Sequence, residues 1–259
     1  MEYCPNCNEV VDGNFCSNCG QRKYKRIDRK YIWNEIQYTV LHTNKGLLYS
    51  IKNIIKNPGK TAREYIEGKR INHYKPILLV FVLSGISAFI SFKIIGLNEM
   101  MKEIYSENGL YSDFTGDTIS FSFSYSSFIM LFFIPFLALF SKIAFRKWGH
   151  NYYEHVIMNA YILSFYTLFD IIVVFPIMYL MKNTIGVFAA LPFLSFCAIP
   201  FILVWFYKGF YKEQSIKKII SKVLLILLQI FIGFIVFVIV TTIVILGLGL
   251  ESILTPTSF

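Results

Sequence analysis

Apolar residues are scattered through the first 75 positions of the chain and dominate the rest. Five apolar runs reach the roughly 20 residues that an α-helix needs to cross about 30 Å of hydrocarbon. They cover 76–96 ("PILLVFVLSGISAFISFKIIG"), about 124–145 (through "FIMLFFIPFLALF"), 155–181, 185–207 and 219–250. The last run has 32 residues, too many for one untilted span. It predicts a tilted helix, or one that begins along the interface at "IKKIISK". Splitting it in two would need a turn where "QIFIGFIVFVIVTTIVIL" offers only Gly233. The pattern therefore predicts an all-α polytopic membrane protein with a five-helix transmembrane bundle. Its parts are a head at 1–20, a basic juxtamembrane region at 21–75, the transmembrane domain at 76–250 and a tail at 251–259.

Two shorter helices are predicted ahead of the first span. In "KGLLYSIKNIIKNPGK", Leu47, Leu48, Ile51, Ile54 and Ile55 recur at helical spacing, and Lys45, Lys52, Asn53 and Lys56 take the other face. Such a helix suits the membrane interface, or equally a groove on the protein's own surface. Pro58-Gly59 ends it. In "NPGKTAREYIEGKRINHYKP", Thr61 and Glu64 have the spacing of a capping box, which predicts a helix from Thr61 to about Gly68.

Composition agrees with the pattern. The chain is 55% hydrophobic and 16% charged, against roughly 45–50% and 25% for a soluble domain. Its formal net charge of +9 is unevenly placed. Residues 1–75, 141–154 and 208–222 carry fourteen, three and five Lys/Arg. The other side of the spans has Lys102 and Lys182, with Lys93 near the end of the first span. Positive loops stay in the cytoplasm, so the amino-terminus is expected in the cytosol and the tail "ESILTPTSF" outside. The first twenty residues lack the basic and apolar regions of a secretory signal.

Four of the five cysteines fall in "CPNCNEVVDGNFCSNCG", at Cys4, Cys7, Cys16 and Cys19. The C-x2-C-x8-C-x2-C spacing presents two pairs of thiolates, the ligand set of a tetrahedral zinc ribbon. Asp12-Gly13 supplies hairpin-turn residues, and Asn8 and Gly20 tolerate the left-handed backbone that follows each knuckle. Cytosolic cysteines stay reduced and hold metal more often than disulfides. A redox dithiol is the competing reading. A head this small cannot bury a core of its own, so Zn2+ is expected in a structural role. Cys197, in the fourth run, reads as a small core residue.

The basic run "QRKYKRIDRKY" fits anionic lipid headgroups or a solvated linker better than nucleic acid, given the spans downstream. Lys60, Arg63, Lys69 and Arg70 surround the second short helix, whose first amides offer a place for an anion or lipid phosphate. A well-capped connector with positive-inside charge explains the same residues. Taken together, the head ending "FCSNCGQ", the stretch "PGKTAREYIEGKR" with "YKP", and the third-span lead "YYEHVIMNAYILSF" resemble an uncharacterised bacterial family of zinc-ribbon integral membrane proteins, domain of unknown function 3667. The resemblance implies a protein of the bacterial inner membrane and no established activity.

Polar residues inside the spans are the remaining candidates. An ionised Asp170 in "FYTLFDIIVVFP" would cost at least about 2.5–3.5 kcal/mol in lipid, so it must face protein or water, or stay protonated. It marks a proton or cation route, or a buried acid bonded within the bundle. Glu154, His155 and Asn159 gather at the cytoplasmic mouth of the third span, as a second metal site, a general base or interfacial hydrogen-bonders. No H-E-x-x-H, Walker loop, G-x-S-x-G or kinase motif is present. The expected function is a non-enzymatic adaptor or regulator whose head and basic segment bind a protein partner or anionic lipid. The alternative is a transporter or lipid-handling protein with a polar route near Asp170.

Overall fold

The computed structural model describes residues 3–4, 7–20, 46–69, 73–107, 121, 125–182 and 184–254. Arg70, the basic run at 21–31 and the end of the tail lie outside them. The chain divides into two compact units, Met1–Lys45 and Gly46–Phe259.

The described part of the second unit is built of helices joined by short connections. Two short helices come first, α1 (Gly46–Lys56) and α2 (Pro58–Ile66). Next are α3 (Pro76–Phe89), prolonged by a π-helical stretch at Ile90–Ile95, and α4 (Leu97–Glu107). The long elements α5 (Ser126–Ala144) and α6 (Tyr152–Phe169) follow. A π-helical stretch at Asp170–Val174 joins α6 to the short α7 (Phe175–Leu180). The chain ends in α8 (Ile185–Phe210) and α9 (Ile216–Leu254).

Local chemistry sets these boundaries. Asn151 and Glu154 form a reciprocal capping box that starts α6. Pro176 has no amide hydrogen to give the preceding turn and crowds its carbonyl, which is where the helix widens to π register. Gly96, at φ +74°, closes the π-helical end of α3. The last apolar run forms one unbroken helix of 39 residues, about 58 Å at 1.5 Å per residue.

Five helices are long and apolar enough to cross a membrane, at Pro76–Ile95, Ser127–Ala144, Tyr152–Leu180, Phe193–Phe210 and Ile216–Val244. The third, formed by α6 and α7, is the hub and the most buried of the five; the fifth is the least buried. The core joins Leu79 and Leu83 of α3, Met158 and Tyr161 of α6, Phe206 and Tyr207 of α8, and Ile219 and Val223 of α9. Phe132, Phe133 and Phe136 on α5, and Phe231, Phe234 and Phe237 on α9, point outward. Outward aromatic and aliphatic faces of this extent suit hydrocarbon rather than water.

Contacts sort the helix ends into two groups. At one end Tyr74 donates its amide to Ser50 Oγ at 2.7 Å, Lys142 Nζ donates to the His150 carbonyl, and Tyr211 meets His150. This basic end also holds Arg146, Lys147, Lys208, Lys212, Lys217 and Lys218. The opposite end packs Ile95 against Val174 and Met178.

Candidate functional site

In the head, the Cys4 amide donates to the Glu9 carbonyl at 2.8 Å and the Asn8 amide to the Cys4 carbonyl at 2.9 Å, which folds the first knuckle. The second closes with the Gly20 amide on the Cys16 carbonyl at 3.0 Å. Asn8 at φ +58° and Gly20 at φ +72° both take the left-handed backbone. Gly13 does not, so Asp12-Gly13 bends the linker without the primed turn its sequence predicts.

The two knuckles face each other. The four sulfurs lie within 4.8 Å of one another, and Cys4–Cys19, Cys7–Cys16 and Cys7–Cys19 are each 3.5 Å apart. Disulfide sulfurs would be about 2.05 Å apart, and none of the five cysteines is in a disulfide. Metal–sulfur bonds of about 2.3 Å in a tetrahedron place sulfurs roughly 3.8 Å apart, close to what is observed. The donor set therefore fits a tetrahedral metal. Among the described residues, these cysteines are the group gathered closely enough to hold one.

The "NPGKTAREYIEGK" stretch forms a joint at the basic end. Here the structure corrects the predicted cap. Asn57, not Thr61, is the N-cap; its Oδ1 accepts from the Lys60 amide at 2.8 Å, with Pro58 in the first turn. Thr61 lies inside α2, and its hydroxyl donates to the Asn57 carbonyl at 2.9 Å. Gly59 sits against the α8 backbone. A Cβ there would lie 1.9 Å from the Phe206 carbonyl oxygen and 2.6 Å from the Phe210 nitrogen. The start of α2 is thus capped by Asn57 and packed at Gly59 against α8.

Three of the basic side chains around α2 lie near carboxylates. Lys60 and Lys69 reach Glu64 at 3.9 and 3.7 Å, and Arg63 reaches Glu67 at 3.7 Å. The joint continues through His73, set edge-on to Tyr49 and Tyr65 at centroid distances of 5.2 and 6.2 Å. Burial holds His73 below the ordinary histidine range, against an opposing pull from Glu64. The unfolded chain then takes up the proton first, so this contribution is intact above about pH 6.5 and declines as pH falls below it. Thermal melts in detergent should show a drop in Tm on acidification that is smaller in His73→Gln.

The group at the start of α6 serves structure at two of its three positions. Glu154 Oε2 accepts from the Asn151 amide at 2.8 Å in the capping box. Asn159 is buried and donates to Ser141 Oγ at 2.9 Å and to the His155 carbonyl at 2.8 Å. His155 is fully buried, and neither ring nitrogen has a hydrogen-bond partner among the described residues. Its neighbours are the rings of Phe145 and His150, at centroid distances of 6.4 and 6.5 Å. At the far end of α6, Asp170 Oδ1 accepts from Ser195 Oγ of α8 at 2.6 Å.

A helical bundle of this apolarity, in a chain that opens on a four-cysteine knuckle pair, is the architecture of a multi-pass membrane protein with a candidate metal head. Residues 44–88 match the family model described as "Protein of unknown function (DUF3667)". The match agrees with the family resemblance over these residues, and spans α1, α2 and most of α3, the helices that build the joint. No curated protein and no solved structure matches the chain.

Proposed function

We propose that the chain is a membrane-embedded adaptor that displays a small metal-bound head on the cytosolic face of a bacterial inner membrane. The observation that carries this reading is the clustering of Cys4, Cys7, Cys16 and Cys19 within 4.8 Å. Four thiolates close a tetrahedral sphere and leave no position for substrate, the mark of a structural zinc. One Zn2+ per chain supplies the folding free energy that so short a head lacks. The gathering of Lys and Arg at one end of the bundle supports orientation of that end, and of the amino-terminus, toward the cytosol. The basic residues between head and bundle hold the head near an anionic leaflet, where a cytosolic protein partner meets it.

A polar route past Asp170 is less well supported. Its carboxylate is bonded within the bundle to Ser195, itself only 6% exposed. Covalent cross-linking in native membranes, followed by capture of the full chain and of a chain lacking residues 1–20, tests the adaptor reading. The full chain should retain a cross-linked protein that the shortened chain loses. Identical recovery from both would sink it.

A further inference from the structure

Helix α1 carries two apolar faces, and the bundle covers one of them. Gly46, Ser50 and Ile54 are buried, and Ile54 belongs to the same core as Leu79, Tyr161 and Tyr207. Leu47 and Ile51 are half-buried beside that line. One step further round the helix, Leu48 is 76% exposed and Ile55 44% exposed. Lys52 and Lys56 follow next and are also exposed. At 100° per residue, Leu48, Lys52 and Ile55 stand within one narrow sector.

We propose that this outward sector of α1 lies on an anionic lipid leaflet, with Leu48 and Ile55 among the upper acyl chains and Lys52 and Lys56 on the headgroup phosphates. Two observations select lipid. First, the apolar sector grades from the bundle core to the outside at the level where α3 begins, and Ile77 and Phe81 of α3 are exposed there too. Ser50 of α1 accepts the Tyr74 amide just ahead of α3, so both sets of outward apolar residues belong to the end where the first span begins. At the same end, α9 begins with exposed Ile216, Ile220 and Leu224 beside Lys217 and Lys218, repeating the pattern. Second, the charge on α1 has no carboxylate partner among the described residues. Among the described residues, Lys60, Arg63 and Lys69 of the α2 region have carboxylate partners within 4.0 Å, and Lys52 and Lys56 have none. A helix with an apolar shelf and a free lysine rim is the form that settles into a headgroup layer, the lysine stems reaching up from the shelf to the phosphates.

The inference rests on the membrane-embedded reading above and adds the lipid class and the contact residues. The full chain would be placed in nanodiscs of phosphatidylcholine alone and of phosphatidylcholine mixed equally with phosphatidylglycerol, and hydrogen exchange followed over 46–56. Exchange should be several-fold slower in the anionic discs. That difference should vanish in Lys52→Glu/Lys56→Glu and at high salt. Leu48→Gln/Ile55→Gln should raise exchange in both discs, while α6 and α8 keep their protection as the folding control. Equal exchange in the two discs, or double-Gln protection equal to the unmodified chain, would overturn the proposal. Partner capture by the head is read separately, so its failure alone would count against the adaptor and not against this surface.

Discussion

Alanine at Gly59 should destabilise the protein by about 3 kcal/mol or more, the upper range for overpacking a filled interior. The added methyl would sit 1.9 Å from the Phe206 carbonyl oxygen and 2.6 Å from the Phe210 nitrogen, and both are backbone atoms of a continuous helix. No side-chain rotation relieves such a contact, so α2 must leave α8. Gly209→Ala tests the same crossing from the other side. Its methyl would meet Asn57 Oδ1 at 2.4 Å, displacing the cap of α2 at a cost of about 1 kcal/mol. Gly85→Ala is the control, because its nearest outside atom is the Ser127 hydroxyl at 3.9 Å. In a helix interior that change should be neutral or stabilising by up to about 1 kcal/mol. Melts in detergent should rank the three variants in that order.

Serine at Cys4 or Cys16 should leave the chain without bound zinc. Both thiols are buried inside the head, packed against Val11. Structural zinc contributes about 10–16 kcal/mol of apparent binding free energy in small knuckle domains, far more than a head of this size gains from apolar burial. Loss of one thiolate should therefore unfold it. Metal analysis of the purified chain should give one zinc, and none in Cys4→Ser or Cys16→Ser. The bundle lies in a separate compact unit and should keep its helical signal. A metal-free chain with a disulfide in the head would overturn the assignment.

Much of this was legible in the residues, for identifiable reasons. Span number follows from apolar length, because every backbone amide in hydrocarbon must be satisfied within its own helix. The cysteine spacing announced a four-thiolate cluster, because a knuckle is a local turn that local sequence specifies. The joint was harder to read. Thr61-x-x-Glu64 mimics a capping box, while Asn57-Pro58, an N-cap residue followed by the residue favoured at the first helical position, was the better signal. Asn151 with Glu154 was a second readable box. The contact of Gly59 with α8 spans some 150 positions of sequence, and nothing local announces a partner so distant. The same holds for Ser50 with Tyr74 and for Asp170 with Ser195, pairs that exist only once the helices pack.

The central claim is that the bundle crosses the membrane five times and holds the cysteine head on the cytosolic side. It is tested most directly by protease protection of two epitopes, one ahead of Met1 and one after Phe259, in sealed cells stripped of their outer wall. The account predicts that the first epitope survives until the membrane is permeabilised and that the second is cleaved at once. Cleavage of the amino-terminal epitope in sealed cells, or protection of both, would contradict it.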